Sequence, residues 1–183
     1  ISEYAKETPN YTYRTMSHDG VLHGQQFVNP KLQRMPMSYY SQQSGLGICL
    51  QLFGGKQFRV GAVGLGVGTL ATWMRPDDYI RFYEINPEVK RLAEKYFYYT
   101  NNCKGKIDVV LGDARLSLEN ERPQNFDILA LDAFNSDSPP LHLLTKEAFD
   151  VYLKHLTQDG VIMIHATSSY LHFFPIVAKL AEQ

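Results

Sequence analysis

The sequence has little of three things that would assign its class at once: cysteine, net charge and long apolar runs. Its 183 residues include 2 cysteines, and the formal net charge at pH 7 is −1. A chain so close to neutral lacks the basic field with which proteins hold nucleic acid. The longest apolar runs, such as residues 128–131 and 161–164, are far too short to span a bilayer.

The few cysteines and histidines do not form a metal-binding pattern. Cys49 and Cys103 lie far apart, and we expect two reduced thiols in a cytoplasmic protein rather than a disulfide. Neither a Cys-x-x-Cys nor a His-x-x-His spacing occurs, so no metal site is expected. Because His23, His142 and His165 are scattered along the chain, a structural role is expected for each.

Two unequal parts are predicted: a β-hairpin segment over residues 1–35 and an α/β domain over residues 36–183. Residues 11–16 alternate in polarity, and a return strand follows over residues 21–28. The dipeptide Asp19-Gly20 between them supplies a turn, which completes the sequence signature of a hairpin.

The second part alternates between helix and strand patterns. It opens with a helix predicted over residues 36–52, since Pro36 suits the first helical position. Further helices are predicted after Asn86-Pro87-Glu88, which combines a cap, a proline and an acid, from Thr145, and over residues 170–183. Strands are predicted over residues 58–63, 79–85, 107–111, 126–131 and 160–166. Such alternation implies a parallel, doubly wound sheet with right-handed crossovers.

A glycine loop joins the first of these strands to the next helix. Within residues 59–70, Gly64, Gly66 and Gly68 give the pattern G-x-G-x-G. Glycines let the backbone turn sharply and let a ligand approach the main chain closely. Glu84, at the end of the next strand, follows Gly64 by twenty residues. A carboxylate at that place can accept hydrogen bonds from two ribose hydroxyls, so the loop and the acid predict a nucleoside site.

Other interpretations of the loop stay open. A dinucleotide site requires G-x-G-x-x-G/A, and counting from Gly64 the last position is Thr69. The observed spacing suits a nucleoside with a short amino-acid tail better than a pyrophosphate. The loop could also be a tight turn that binds no ligand, and Glu84 a solvated carboxylate at a strand end.

Two further strands are followed by acids. Asp113 and Ala114 come after the third strand, where they are expected to meet the adenine end of the nucleoside. The competing interpretation is that Asp113 only caps the helix over residues 114–121. Asp132 ends the fourth strand, and Asp137 lies in the loop that follows. Paired carboxylates suit the binding of a cationic amine and removal of its proton, although turns also favour aspartate.

The ordered set of motifs resembles the spermidine synthases over nearly the whole chain. The resemblance rests on Gly64 to Gly68, Tyr83-Glu84-Ile85-Asn86, Gly112-Asp113-Ala114, Leu131-Asp132, Leu144 to Phe149, Asp19 to Leu22 and Tyr39-Tyr40. The stretches His23 to Gln26 and Pro36 to Tyr40 look most similar to spermidine synthase-like domains attached to transporter-like membrane segments. This similarity implies a membrane domain upstream of Ile1, and the chain would then be its cytoplasmic domain.

The resemblance implies a fold and a reaction. The fold would be that of class I S-adenosylmethionine methyltransferases, which normally have seven strands, so the last two are expected to be missing. Decarboxylated S-adenosylmethionine, or S-adenosylmethionine itself, would be the co-substrate, without a metal. In the family's reaction an aminopropyl group passes to a small amine. Pairing through the hairpin would give a homodimer.

The same resemblance assigns a role to each residue. Glu84 would hold the ribose, Asp113 the adenine end, and Asp132 would orient and deprotonate the amine. Tyr39 would help line the polyamine channel, and Gln25 or Gln26 would contact the donor or the acceptor.

The sequence departs from the family pattern around the amine site. Met35-Pro36 and Ser41 stand where spermidine synthases carry acids, and Asn135 stands where the second acid of the catalytic loop would fall. Tyr39 and Tyr40 could therefore be core aromatics. Two alternative functions stay open: a methyltransferase that uses S-adenosylmethionine, and a non-catalytic nucleoside-sensing domain of a membrane protein.

Overall fold

The N-terminal part of the chain forms a small antiparallel sheet. The computed structural model describes residues 1–4, 11–18, 21–52, 57–134, 138–167 and 172–182. Within them the first sheet contains β1 (Ser2–Tyr4), β2 (Tyr13–His18) and β3 (Val21–Phe27), in that order. The predicted hairpin is confirmed as β2 and β3, while β1 was not predicted. The turn predicted at Asp19-Gly20 lies outside the described residues.

The central sheet is parallel, as the sequence predicts. Its strands are β4 (Arg59–Val63), β5 (Tyr79–Glu84), β6 (Lys106–Leu111), β7 (Phe126–Leu131) and β8 (Leu156–Ile164). Their order across the sheet is β6-β5-β4-β7-β8, and each neighbouring pair is parallel. The strand order reverses beside β4, between β5 and β7. Open α/β sheets bind ligands in the crevice outside the carboxyl ends of strands at such a reversal.

α-Helices precede, connect and follow the strands of this sheet. They are α1 (Gly45–Leu52), α2 (Pro87–Tyr96), α3 (Ala114–Asn120), α4 (Lys146–Lys154) and α5 (Phe174–Ala181). The predicted start of α2 is confirmed, because the Asn86 side chain accepts a hydrogen bond from the Glu88 N–H at 2.9 Å. The start of α4 is confirmed in the same way by Thr145, which accepts from the Ala148 N–H at 3.2 Å. Both caps satisfy an amide that the first helical turn would leave unpaired.

Apolar side chains cover both faces of the central sheet. Ile128 and Leu129 are neighbours on β7, and each is fully buried, yet they belong to different apolar clusters. Successive side chains of a strand point to opposite faces, so these two clusters are the cores on either side of the sheet. Among the described residues, no helix is both long and apolar enough to cross a membrane.

The helix predicted over residues 36–52 is wrong in its first half. The chain forms one short 3₁₀ turn at Ser38–Tyr40, and a helix begins only at Gly45. Ser38 has φ 59°, which an α-helix cannot contain. The segment instead folds back on α1, and a Cβ at Gly47 would lie 2.1 Å from the Ser41 carbonyl oxygen. Gly47 is thus needed for this close approach.

Two other helical segments are shorter than the sequence suggests. The glycine loop leads into a 3₁₀ helix, Thr69–Trp73, rather than into an α-helix. The last helix, predicted over residues 170–183, is observed as α5 at Phe174–Ala181.

A buried histidine at the end of α4 gives the fold a dependence on pH. His155 is 3% exposed; its Nε2 lies 2.9 Å from the Leu118 carbonyl oxygen, and its Nδ1 faces the Gln124 N–H at 3.3 Å. These partners suit a neutral ring, and burial lowers the pKa of His155 from 6.5. Below about pH 6.5 the unfolded chain therefore binds more protons than the folded one, so stability is lost as the pH falls towards the lowered pKa.

We therefore expect the free energy of unfolding to decrease between pH 7.5 and pH 5.5. His155→Gln is expected to destabilise the fold at pH 7.5 by about 1–3 kcal/mol, because buried polar groups lose their partner, and to flatten this pH dependence. Urea denaturation at the two pH values measures both effects. His172→Gln, at an exposed histidine, is the matched control, and an equal flattening in that variant would contradict the prediction.

Candidate functional site

A crevice lies at the carboxyl ends of the central strands. It is lined by seven of the residues that the sequence singles out: Tyr39, Gly64, Gly66, Glu84, Asp113, Ala114 and Asp132. They come from separate elements, and the parallel sheet brings them together because its strands end at one edge. The residues at these strand ends therefore lie together in one crevice, as expected, while the role of each residue stays a prediction.

The glycine loop is shaped by protein contacts. Gly64 has φ 97° and Gly66 has φ 54°, in the region that favours glycine. A Cβ at Gly64 would lie 2.4 Å from the Asp132 carbonyl oxygen, and one at Gly66 would lie 2.3 Å from that of His23. The His23 carbonyl also accepts a hydrogen bond from the Val67 N–H at 3.1 Å. The N-terminal sheet and the end of β7 thus hold the loop in the conformation that opens onto the crevice.

Glu84 is fixed at the floor of the crevice. One carboxylate oxygen accepts a hydrogen bond from the Leu65 N–H at 3.0 Å, and the other accepts from the Asn86 N–H at 2.8 Å. The side chain is 7% exposed, and it lines the crevice. A carboxylate oxygen can accept more than one hydrogen bond, so each retains a lone pair after these contacts. The arrangement both orders the glycine loop and leaves acceptors for a ligand's hydroxyl groups.

Asp113 caps a helix and also faces the crevice. One of its oxygens accepts from the Leu116 N–H at 2.9 Å, which confirms the capping interpretation. Its other oxygen lies 3.0 Å from Nε2 of His142, which belongs to the short turn Leu141–Leu143. His142 lines the same crevice. A ligand amino group that approached Asp113 would therefore meet this histidine as well.

Asp132 is at the centre of a hydrogen-bonded cluster. Its Oδ2 accepts a hydrogen bond from the Tyr40 hydroxyl, and its Oδ1 lies 2.6 Å from Nδ1 of His165. The Asp132 side chain is 12% exposed. Burial, reinforced by the negative charge of Asp132, raises the pKa of Tyr40 well above its usual value. The hydroxyl therefore stays protonated and acts as a donor to the carboxylate.

Tyr39 stacks over this cluster. Its ring lies 4.7 Å from that of Tyr40 and 4.3 Å from that of His165, between ring centres. Tyr40 is buried, as expected of a core aromatic, whereas Tyr39 is only partly buried and lines the crevice. Burial and the charge of Asp132 also raise the pKa of Tyr39, which keeps its hydroxyl neutral.

A second cavity adjoins the crevice. Tyr39 and Asp132 line both spaces, so they form the boundary between them. The second cavity extends towards α1 and the end of β8, where His165 and Thr167 face it. Its apolar lining includes Leu46, Ala130, Leu131, Met163 and Ile164. Among the described residues that line it, Asp132 is the only carboxylate.

Three of the residues predicted for the site are not observed in it, and neither is Gln26, the alternative to Gln25, whose side chain donates to the Gln33 carbonyl at 3.0 Å and accepts from the Tyr98 N–H at 2.9 Å. Gly68 has φ 81°, and a Cβ there would lie 2.4 Å from the Thr100 side chain, away from the crevice. The Gln25 side chain accepts a hydrogen bond from the Ser38 hydroxyl at 3.3 Å and does not line the crevice. Asp137 lies outside the described residues, together with the rest of 135–137. The functional roles predicted for these three remain predictions.

Each of the three histidines that were expected to be structural lines either the crevice or the second cavity. His23 and His142 line the crevice, and His165 lines the second cavity. Burial lowers the pKa of His23, so its imidazole is neutral near pH 7. His165 directly follows β8 at the same edge of the sheet as Glu84 and Asp132. Its place near the C-terminal end of the fifth predicted strand was the signal in the sequence that could have identified it.

Comparison with known proteins gives matches to an aminopropyltransferase and to methyltransferases. No family model matches the chain. It is 31% identical over 123 residues to a polyamine aminopropyltransferase of Vibrio vulnificus, covering 64% of this chain and 40% of that protein. It is also 26% identical over 128 residues to a "Putative O-methyltransferase" of Mycobacteroides abscessus, covering 68% of this chain and 55% of that protein. The chain thus spans about half the length, or less, of these relatives.

Two solved structures share the fold. A probable spermidine synthase from Corynebacterium glutamicum has a TM-score of 0.65 at 19% identity, with 89% of this chain and 62% of that chain covered. Human methyltransferase-like protein 13, in complex with SAH, has a TM-score of 0.55 at 19% identity, with 73% and 64% covered. The predicted α/β fold of the class I methyltransferase type is therefore confirmed. By its sequence the chain is similar to a polyamine aminopropyltransferase, and it shares its fold with a probable spermidine synthase.

Proposed function

We propose that the chain binds an S-adenosylmethionine-type nucleoside in the crevice and transfers its aminopropyl group to an amine held in the second cavity. The observation that carries this proposal is the position of Asp132 and Tyr39, which line both spaces. A transfer reaction requires the donor carbon and the attacking nitrogen to meet at one place, and these two residues mark where the two spaces meet.

The crevice has the polarity that a nucleoside requires. Glu84 presents carboxylate oxygens to the ribose hydroxyls, and Asp113 presents one to the adenine amino group. Ile85 lines the crevice beside Glu84 and is 70% exposed, so an adenine ring stacked there would remove apolar surface from water. The backbone at Gly64 and Gly66 lets the tail of the nucleoside approach without a side chain in the way.

The choice between the two donors depends on what would face the donor's carboxylate. Among the described residues that line the crevice there is no lysine or arginine. His23 lines it, but burial lowers its pKa, and a neutral imidazole pairs weakly with a carboxylate. The decarboxylated donor, whose tail ends in an amine, therefore suits this crevice better than S-adenosylmethionine.

The second cavity favours an acceptor with one charged nitrogen and an apolar body. A long diamine would place its distal ammonium among apolar side chains, which costs several kcal/mol without a partner. Asp132 can pair with one nitrogen at the boundary, and Met163 and Ile164 can pack against the rest of the acceptor. The absence of family acids at Met35, Pro36 and Ser41 supports the same choice.

A donor comparison tests the proposal. Calorimetry with the purified chain is expected to show binding of methylthioadenosine, and tighter binding of the decarboxylated donor than of S-adenosylmethionine by about 10-fold, since one unpaired buried charge costs at least 1.4 kcal/mol. The chain is also expected to release methylthioadenosine from the decarboxylated donor when a monoamine is present. Glu94→Gln, at an exposed position of α2, is the control.

Other outcomes would select the alternatives. Transfer of a methyl group from S-adenosylmethionine, without release of methylthioadenosine, would assign a methyltransferase, as the fold shared with methyltransferases allows. Nucleoside binding without turnover on any mono-, di- or triamine would assign a sensing domain. Either result would overturn aminopropyl transfer.

A further inference from the structure

We propose that His165 is the proton acceptor of the transfer reaction, with Asp132 as the residue that orients it. The inference rests on the function proposed above. It changes the role predicted for Asp132, which the sequence assigns as the group that deprotonates the amine.

The hydrogen bond between His165 and Asp132 determines which nitrogen of the imidazole carries the hydrogen. Nδ1 of His165 lies 2.6 Å from Oδ1 of Asp132, and an ionised carboxylate can only accept hydrogen bonds. Nδ1 must therefore carry the hydrogen, which leaves the lone pair of the neutral ring on Nε2. That nitrogen lies 2.7 Å from the Thr167 hydroxyl, which can donate to it. A nucleophile's proton can take the place of the Thr167 proton at Nε2.

Asp132 itself is poorly placed to act as the base. Both of its oxygens already have partners: the Tyr40 hydroxyl at Oδ2 and the His165 ring at Oδ1. The carboxylate is also the less exposed member of the pair, with 12% of its side chain exposed against 23% for His165, so a bound amine meets the imidazole more readily. A buried carboxylate that holds an imidazole in one tautomer is a recurrent arrangement in enzymes that use histidine as a general base.

The ring of His165 is held in place and remains accessible. Its backbone N–H donates to the Leu131 carbonyl at 2.9 Å, which extends the pairing of β8 with β7 by one residue. Its ring contacts those of Tyr39, at 4.3 Å, and Phe134, at 4.6 Å, measured between ring centres. The side chain is 23% exposed and faces the second cavity, where the amine would bind.

The proposed step balances in atoms, electrons and charge. The acceptor nitrogen attacks as its neutral amine, the bound ammonium having first lost one proton to solvent; its lone pair attacks the carbon attached to the sulfonium sulfur and forms an N–C bond. The C–S bond breaks, its electron pair returns to sulfur, and methylthioadenosine leaves as a neutral thioether. The alkylated nitrogen then carries a positive charge and an extra proton, which passes to Nε2 of His165. Asp132 stabilises the resulting imidazolium.

The groups around His165 favour this proton transfer. Among the described residues, the titratable side chains that face it are Asp132 at the end of β7 and Tyr39 and Tyr40 in the turn before α1. The two tyrosines stay neutral because burial raises the pKa of each. Behind them, His23 interacts with Asp132 across the crevice, and burial keeps it neutral near pH 7. A protonated His165 would therefore face one negative charge and no positive one.

The pH profile of turnover tests the proposal. In the wild-type chain, kcat/KM is expected to be lost at acid pH, because a proton already on Nε2 removes the acceptor. His165→Gln is expected to lose this acid-pH dependence and about 10²–10⁴-fold in kcat, with methylthioadenosine binding unchanged. Added imidazole is expected to restore part of the activity of His165→Ala. His172→Gln, at an exposed site, should retain the wild-type profile.

The outcomes separate this proposal from the function on which it rests. An active wild-type chain whose pH profile and kcat survive His165→Gln would overturn the role of His165 alone. A wild-type chain that forms no methylthioadenosine with any amine would overturn both. Nitrogen NMR of the resting protein gives a readout that needs no turnover: the Nδ1-protonated tautomer is expected in the wild type, and the opposite tautomer would overturn the proposal.

Discussion

Glu84→Gln is expected to weaken the binding of methylthioadenosine by about 100-fold, or about 2.7 kcal/mol, as measured by calorimetry. The carboxylate accepts hydrogen bonds from the Leu65 and Asn86 amides and retains lone pairs for the ribose. The amide of the Glu84→Gln variant has only one acceptor oxygen. Its NH₂ group must therefore take the place of the second carboxylate oxygen, where it either faces a backbone N–H or displaces a ribose hydroxyl. Hydrogen bonds that involve a charged group are each worth about 1.5–3 kcal/mol, so losing one or two gives this magnitude.

A second acid separates loss of binding from loss of stability. Glu121 pairs with Arg81 at 2.6 Å and does not line the crevice. Glu121→Gln is therefore expected to lower the unfolding temperature and to leave nucleoside binding intact. If Glu84→Gln binds methylthioadenosine as tightly as the wild type, Glu84 does not hold the ribose and only orders the glycine loop.

Asp132→Asn is expected to reduce turnover by about 10³–10⁴-fold while nucleoside binding changes little. An asparagine that keeps its oxygen towards the Tyr40 hydroxyl must point its NH₂ group at Nδ1 of His165. That nitrogen would then accept instead of donating, and the ring proton would move to Nε2, where the reaction needs a lone pair. Stopped-flow or steady-state release of methylthioadenosine measures the loss, and calorimetry measures the binding.

Another aspartate on the same strand provides the control. Asp127 lies at the opposite end of β7, where its carboxylate accepts a hydrogen bond from the Arg59 N–H at 2.9 Å. Asp127→Asn is expected to affect stability and to leave turnover close to the wild-type value. Equal losses of turnover in the two variants would point to a general effect on the strand and would contradict a specific role for Asp132.

The parallel sheet was predictable because its signals are local. Buried strands appear as short apolar runs, and the caps Asn86 and Thr145 announce the helices that follow them. The helix over residues 36–52 could not be resolved in this way. Its break depends on the approach of the Ser41 carbonyl to Gly47, which is a contact between folded segments. The pairing of β1 with β2 likewise depends on partners that no local pattern specifies.

The site was predictable to the extent that its residues end strands. Glu84, Asp113 and Asp132 were predicted from their positions, and the sheet places all three on the crevice, while their roles stay predictions. His165 has the same kind of position after β8, but without a neighbouring motif it looked like any other histidine. The contact of His165 with Asp132 joins the ends of two strands, β8 and β7, and that of Tyr40 with Asp132 joins residues 92 positions apart. Neither could be deduced from spacing.

The contact between His23 and the glycine loop has a consequence for how the chain can be divided. The boundary drawn after residue 35 separates the two parts along the chain, yet the shape of the loop depends on both. The Val67 amide has its acceptor on β3, and the space beside Gly66 is filled by the backbone of that strand. A fragment that began at residue 36 would therefore lose one wall of its ligand site. The small sheet therefore supports the glycine loop. Any shift of that loop on ligand binding would have to move β3 or break its contacts with β3.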